Sequence, residues 1–363
     1  MINERTASRM VIRKAGWLAL ACLGLSMAAE IWAESGELRL NELDYFETRG
    51  VNVLAFSNWY NGMFDDSKIS GIEIIHHGVR TVTNGDVRLH ATPEQWDAIP
   101  QFVEREVDKD GNRIVAHLRY PDYGFEYAIE TAAEGDSVRI TVRLPEPLPE
   151  ALQGRAGLNL EFLPAAYFGK AWLADERNGL FPLYPTGPKE QASGVAPVPL
   201  ATGRRITLAP GDAERRITVA SENAELALFD GRAKAQNGWF VLRSLLPKDK
   251  TGDVLSWTLT ANAVADWKRP PVIAHSQLGY HPGQNKTAII ETDPNSEYEG
   301  PARLWRLTAD GTAEEVLAAR PERWGRYQRY AYLTFDFTAA RQEGLYRIEY
   351  AGRQTAPFRI ARD

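Results

Sequence analysis

The chain has 363 residues, 44% of them hydrophobic and 25% charged, with a formal net charge of −6 and a single cysteine, Cys22. That is the composition of an ordinary folded globular protein with room for two domains. A mildly acidic chain with one thiol excludes disulfides and cysteine zinc sites, and argues against nucleic acid as a partner, since that needs clustered Lys and Arg.

Residues 1–33 read as a secretory signal. Arg9, Arg13 and Lys14 precede an uncharged apolar run from Ala15 to Ala29, and Ala33 is the expected cleavage point. The run is short for a bilayer span of about 20 residues. Export to a bacterial periplasm or exterior is expected, with no stable membrane span after signal removal. An uncleaved anchor is the alternative. Cys22 lies inside the run, where Ala19, Leu20 and Ala21 fit a lipoprotein motif poorly. Residues 1–33 carry a net +2, from Arg5, Arg9, Arg13 and Lys14 against Glu4 and Glu30, which leaves −8 on the remainder. Neutral polysaccharides need no counter-charge and suit such a surface.

From residue 36 onward the period is that of strands. Val138–Leu144 alternates apolar and charged residues, and Arg215–Val219 and Leu255–Thr260 alternate in the same way. Glu225–Phe229 and Trp239–Leu242 are shorter apolar runs. Asn84-Gly85-Asp86, Lys109–Asn112, Glu134-Gly135-Asp136, Pro210-Gly211-Asp212 and Asp230-Gly231 read as turns between strands. A helical turn is expected at Thr92–Trp96, and a long surface loop at Pro182–Pro199. The prolines at Pro270 and Pro271 break the ladder. The expectation is all-β: a large antiparallel β-sandwich over residues 36–268, of supersandwich size, then a second β-sandwich over residues 271–363.

Several residues invite a chemical reading. His76-His77 closes an apolar strand, but neighbours on a strand point to opposite faces, so a surface or loop pair is expected rather than a metal site. His275 and His281 read as packing or capping groups. Asp65-Asp66 and Asp108-Lys109-Asp110 are solvated turn charges. Asn285-Lys286-Thr287 is a formal glycosylation sequon without expected consequence. Trp59, Tyr60 and Phe64, then Tyr120, Tyr123 and Phe125, form loop-like aromatic clusters. Trp172, Phe181 and Tyr184 flank the long loop, and Trp324, Tyr327 and Tyr330 stand among Arg323, Arg326 and Arg329. Of these, Trp59, Tyr60, Tyr123, Trp172, Tyr184 and Trp324 are candidates for contact with glycan or with another domain. Core packing is the competing reading for each. No catalytic residue, metal ligand or cofactor site is expected.

The most informative stretch is Ala274-His-Ser-Gln-Leu-Gly-Tyr280, followed by His281-Pro282 and, near the end, by Gly344-Leu345-Tyr346 and Pro357-Phe358-Arg359-Ile360. It resembles the immunoglobulin-like domain that precedes the catalytic barrel in glycoside hydrolase family 9, the cellulase-type family. There the domain opens with Asn-Gln-x-Gly-Tyr-x-Pro and closes with Gly-x-Tyr, then Pro-Phe-x-Ile. His275 and Ser276 depart from the family's usual Val-Asn. The resemblance implies an immunoglobulin-like fold for residues 271–363, with Tyr346 as a corner tyrosine rather than a sugar-stacking one. It implies a polysaccharide hydrolase whose catalytic carboxylates lie on an (α/α) barrel, none of which maps onto this chain. The expected role is then a non-catalytic scaffold. A free-standing carbohydrate-binding protein is one alternative. A lyase or epimerase with its own site in residues 36–268 is another.

Overall fold

The computed structural model describes residues 36–60, 68–94, 97–192, 194–234, 238–327 and 329–362. The expected signal, Asp65-Asp66, Phe64 and the end of the expected turn at Thr92–Trp96 lie outside the described residues. No helix among the described residues is long and apolar enough to cross a membrane. The chain divides into two compact units between Ala265 and Asp266.

The larger unit is two nine-stranded antiparallel sheets. The first runs in the order Arg39–Leu40, Phe46–Thr48, Val51–Ala55, Ile72–His76, Val79–Arg88, Gly157–Phe162, Phe240–Leu245, Leu226–Asp230, Ala201–Gly203. The second runs Arg177–Leu180, Ala171–Ala174, Arg205–Leu208, Ile217–Ser221, Gly252–Ala261, Ser137–Leu144, Phe125–Glu134, Arg113–Tyr120, Gln101–Asp108. Alternation in the sequence becomes alternation in space. Val138, Ile140 and Val142 are buried while Arg139 and Arg143 face water. Ile72, Ile74, Val82, Leu158, Leu160, Leu242 and Trp257 join the same continuous core. The Trp257 indole N–H donates to Ser244 Oγ at 3.2 Å and so ties the second sheet to the first.

Asn84-Gly85-Asp86 is no turn. It lies inside the strand Val79–Arg88, where the register with Ile72–His76 shifts. Asn84 takes φ 50°, which this residue type tolerates, and the strand continues as a bulge. A Cβ on Gly85 would sit 2.5 Å from Ile72 Cβ, and one on Gly71 2.5 Å from Gly85 O. The glycines serve this close approach rather than a reversal. The described residues of 181–200 carry no strand beyond a bridge of Lys189 to Pro197.

The smaller unit packs two sheets of its own. One is Val272–Ala274, Thr287–Thr292, Tyr330–Asp336 and Glu322–Tyr327; the other is Ala313–Ala319, Ala302–Leu307, Gly344–Tyr350 and Arg353–Gln354, with Phe358–Ile360 paired to Gly344–Tyr350. Ala288, Ile290, Leu304, Phe335, Phe337, Tyr346 and Ile348 fill the space between them. The two-residue turn at Ala351-Gly352 has positive φ at both positions, the backbone that tight hairpins need.

Candidate functional site

The two sheets of the large unit treat their outward polar residues differently. On the second sheet these residues are exposed and paired across strands: Arg139 with Glu134 and Glu222, Arg143 with Asp253. On the first sheet Glu73, Thr83, Asp86, Arg88, Asn159 and Arg243 are all buried. Taking charges out of water is costly unless each is paired, and proteins keep such groups mainly where they have a task.

The site begins where the strand Val79–Arg88 runs past its last pairing with Ile72–His76, at Gly85. Asp86 Oδ1 accepts from the Tyr127 hydroxyl at 2.8 Å and from the Val87 N–H at 2.7 Å. The Tyr120 hydroxyl donates to Val87 O at 2.7 Å. Asn84 Nδ2 donates to Glu161 Oε2 at 2.5 Å. Arg243 spans the floor. Its guanidinium donates to Asn159 Oδ1 at 2.9 Å and to the carbonyls of His90 and Arg155, while its Nε is buried without a partner among the described residues.

Charges in this cluster move one another. Burial pushes the Asp86 carboxyl up to about 6, although Arg88 and the Tyr127 hydroxyl oppose the rise. Burial also raises Glu161, against Arg88 and Asn84. Burial lowers Arg243 to about 10, with Arg88 adding to the effect and Asp97 opposing it. Burial opposes the charge on Arg88 as well, yet the carboxylates of Glu161, Asp86 and Asp97 outweigh it and raise its pKa. Lys68 acts on both Asp86 and Glu161. Three acids and three bases therefore share one electrostatic neighbourhood.

A second network holds Glu73. It accepts from Asn58 Nδ2 and the Tyr60 hydroxyl, each at 2.6 Å, from Arg80 Nη1 at 3.0 Å and from Thr83 Oγ1 at 3.3 Å. Burial, then the Glu73 carboxylate, pushes the Tyr60 phenol up to about 12. Tyr60 is thus bound to the first sheet and anchors the short pairing of Trp59–Tyr60 with Lys68–Ile69. Trp59 itself is 54% exposed and sits edge-on to Phe102 at 5.7 Å.

The remaining aromatic candidates divide. Tyr184 is 75% exposed, and Trp324 is 64% exposed on an edge strand, edge-on to Tyr332. Tyr123 is partly exposed in the turn between two strands. Trp172 is only 6% exposed and its ring covers Gly179, where a Cβ would come within 2.2 Å, so no sugar reaches its face. Tyr120, Phe125 and Phe181 are core residues, not loop residues; Tyr120, Phe125 and Tyr127 form a buried stack of rings.

His76 and His77 are buried, which corrects the expectation of a surface or loop pair. His77 takes φ 47°, so strand alternation fails there and the two rings lie 4.6 Å apart. His76 Nε2 meets Asn262 O at 2.8 Å and His77 Nδ1 meets Glu214 O at 3.0 Å, so both nitrogens donate. His77 Nε2 accepts from the Val264 N–H at 3.2 Å. No group of three metal-ligating side chains occurs among the described residues.

In the smaller unit the conspicuous motif is structural. Gly279 has φ 88°, and a Cβ there would lie 2.5 Å from Arg359 O. Tyr280 N donates to Arg359 O, Ala361 N donates to Tyr280 O, and the Tyr280 hydroxyl accepts from Ser276 N. His275 packs its ring on Phe358, and His281 Nδ1 accepts from Gly283 N. Lys286 is buried, with Nζ donating to Pro282 O and Gln284 O. The buried Tyr346 donates its hydroxyl to Gln342 O, four residues upstream, at 2.7 Å, as a corner tyrosine does. Leu278, between these fixed points, is 99% exposed.

Sequence reasoning missed the Asp86, Arg88, Glu161 and Arg243 cluster. Its signal is present: charged residues alternate with apolar ones in three strands, Asp86 and Arg88 in Val79–Arg88, Glu161 in Gly157–Phe162 and Arg243 in Phe240–Leu245.

Comparison with known proteins bears on the smaller unit. A family model described as the cellulase N-terminal ig-like domain matches residues 268–355. Among solved structures, a metagenome-derived glycoside hydrolase family 9 endoglucanase is 22% identical with a TM-score of 0.22, over 25% of this chain and 18% of its own. A Bacteroides ovatus GH9 is 25% identical with a TM-score of 0.21, over 24% of this chain and 15% of its own. The chain thus spans less than a fifth of either structure. No curated protein matches it. Residues 268–355 are thus similar to the cellulase N-terminal ig-like domain.

Proposed function

We propose that the chain is the non-catalytic N-terminal region of an exported polysaccharide hydrolase of the family 9 type, acting on a β-glucan or related plant glycan. In this reading residues 266–363 hold a catalytic (α/α) barrel in place, and the periplasm or exterior is where they do so. The observation that carries it is the cellulase-type domain over residues 268–355. Leu278 supports it. Its turn is fixed on both sides by hydrogen bonds, yet the side chain stands wholly in water. Burying it against a partner would recover roughly 2 kcal/mol.

Two measurements test the reading. Purified residues 34–363 release no reducing sugar from β-glucan or other plant glycans. A separately produced family 9 barrel binds them, and Leu278→Ser weakens that binding several-fold while leaving thermal stability unchanged. Sustained turnover by this chain alone, abolished by replacing a carboxylate in residues 36–268, would overturn it.

A further inference from the structure

We propose that the groove across the outer face of the second nine-stranded sheet binds a linear, neutral glycan, which lies across the strands and whose hydroxyls donate to Glu104 and Glu126.

The groove is a cavity of about 640 Å³. Its lining comes from five neighbouring strands: Gln101–Asp108, Arg113–Tyr120, Phe125–Glu134, Ser137–Leu144 and Gly252–Ala261. Strand register turns that lining into one row. Glu104 pairs with His117, His117 with Ala128, Ala128 with Arg143 and Arg143 with Asp253. Residues paired across strands share a face. This row faces outward, because Leu118, Ile129 and Val142, the next residues along their strands, lie in the core. Ala128 makes the floor: it sets a methyl group between the long side chains of His117 and Arg143, so the surface sinks there.

The backbone is shaped to this row on both sides. The register shifts between Phe102 and Glu104, and again between Val142 and Arg143. Such bulges bend a strand and re-aim its side chains, and they are over-represented next to active sites. The first leaves Val103 as the extra residue, 55% exposed in the groove wall.

The pairing of charges leaves two carboxylates open. On this face Glu106 meets His117 at 3.3 Å, Asp253 meets Arg143 at 2.6 Å and Glu134 meets Arg139 at 2.7 Å. Glu104 and Glu126 line the groove, are exposed, and have no side-chain hydrogen bond or ion pair among the described residues. Arg119 is the cross-strand neighbour of Glu126, yet its Nε donates to Gln101 Oε1 at 2.6 Å.

Shape and chemistry then select the ligand. Strands lie about 4.8 Å apart, so a row over five strands is about 19 Å long and suits an extended ligand. A peptide would pair along the edge strand Gln101–Asp108, parallel to the strands rather than across them. An ionised carboxylate can only accept, and a hydroxyl donates to it. Arg119 and Arg143 bind their protein partners through Nε, which leaves terminal N–H groups for other hydroxyl oxygens. A ligand carboxylate would face Glu104 and Glu126, and a ligand amine would face the two guanidiniums. A neutral polyol meets neither repulsion.

The proposal goes beyond the scaffold reading and does not rest on it, because the groove belongs to the larger unit. Calorimetric titration of the purified chain tests it. Cellotetraose, xylotetraose and mannotetraose are the neutral probes; tetragalacturonate and tetraglucosamine are the charged ones. At least one neutral probe binds, more tightly than either charged probe. Ala128→Gln, which fills the floor, abolishes that binding. Glu126→Gln weakens it about tenfold, as losing a charge-assisted hydrogen bond would. Glu134→Gln, on the same strand but outside the groove, leaves it unchanged. Should Ala128→Gln not fold, Glu126→Gln at its exposed position carries the test alone. Failure of every neutral probe, a charged probe that binds more tightly, or binding undiminished in Ala128→Gln or Glu126→Gln overturns the proposal. None of these outcomes depends on whether a barrel is recognised.

Discussion

Burying His76 and His77 commits the fold to their neutral forms. An unfolded histidine takes a proton near pH 6.5. Burial lowers His76 to about 4, with help from His77 and Arg215 and against the Asn262 carbonyl and Asp212; burial lowers His77 too. Between those values the unfolded chain binds more protons, so stability falls as pH falls. For His76 the loss starts below pH 6.5, is complete below about 4, and amounts to roughly 3 kcal/mol. Denaturant titrations at pH 7.5 and 4.5 should show this loss, and His76→Gln should shrink the difference between the two pH values. An unchanged difference would place the acid sensitivity elsewhere. Part of this was legible in the sequence and part was not. Ile74-Ile75 before the pair marks a strand, and the strand is there. The facing of the pair was not legible, because period-two alternation presumes extended backbone and His77 leaves it with a positive φ. Trp172 fails in another way: beside a Pro- and Gly-rich loop it reads as a loop aromatic, while the missing Cβ of Gly179 lets its ring lie flat in the core.

Single elements depend on a few polar clamps. Asp230 and Arg232 form a bidentate pair, Nε to Oδ1 at 2.8 Å and Nη2 to Oδ2 at 2.9 Å. The same guanidinium donates to the carbonyls of Pro182, Leu183 and Tyr184 and stacks on Phe240 at 4.6 Å. It therefore fixes the start of the long loop, including Leu183 and Tyr184, whose own side chains stand in water. Lysine has the charge but neither the planar fork nor the reach to three carbonyls. Arg232→Lys should cost on the order of 2–3 kcal/mol in denaturant titration and raise amide exchange across residues 182–186. Exchange confined to residues 230–234 would show that the loop is held by something else. The loop was legible from its prolines and glycines, and the strands from their alternation: Val138–Leu144 falls within the strand Ser137–Leu144. What holds the loop was not legible, since Arg232 and Pro182 lie fifty residues apart. Asn84-Gly85-Asp86 shows the opposite failure. A sound local turn signal is overruled because the strand must bulge around Ile72.

At the scale of the molecule, each unit closes its own core. The large core draws on residues from Leu38 to Ala261, the small one on residues from Tyr280 to Ile360. Composition and periodicity anticipated an all-β chain, and a short motif around Gly279-Tyr280 anticipated the family of the smaller unit. The charge cluster at Arg88 went unread because its charged members come from four strands and the loop that holds Asp97, far apart in sequence. Separate cores predict separate folding. Residues 266–363 should fold when produced alone, since their sheets, corner tyrosine and buried Lys286 are all internal to that stretch. Thirteen buried apolar residues between two sheets are a modest core, so stability of a few kcal/mol is expected for about 98 residues. The measurement is circular dichroism with amide exchange on the isolated piece, beside calorimetry on the whole chain. A β-type spectrum, protected amides in Thr287–Thr292 and Gly344–Tyr350, and two calorimetric transitions are expected, because units with independent cores do not melt as one. A disordered fragment together with a single transition in the whole chain would mean that the smaller unit depends on the larger for its fold. Tyr346→Phe then locates the transitions. It removes one hydrogen bond, costs on the order of 1 kcal/mol, and should shift the transition of the smaller unit while leaving the other in place.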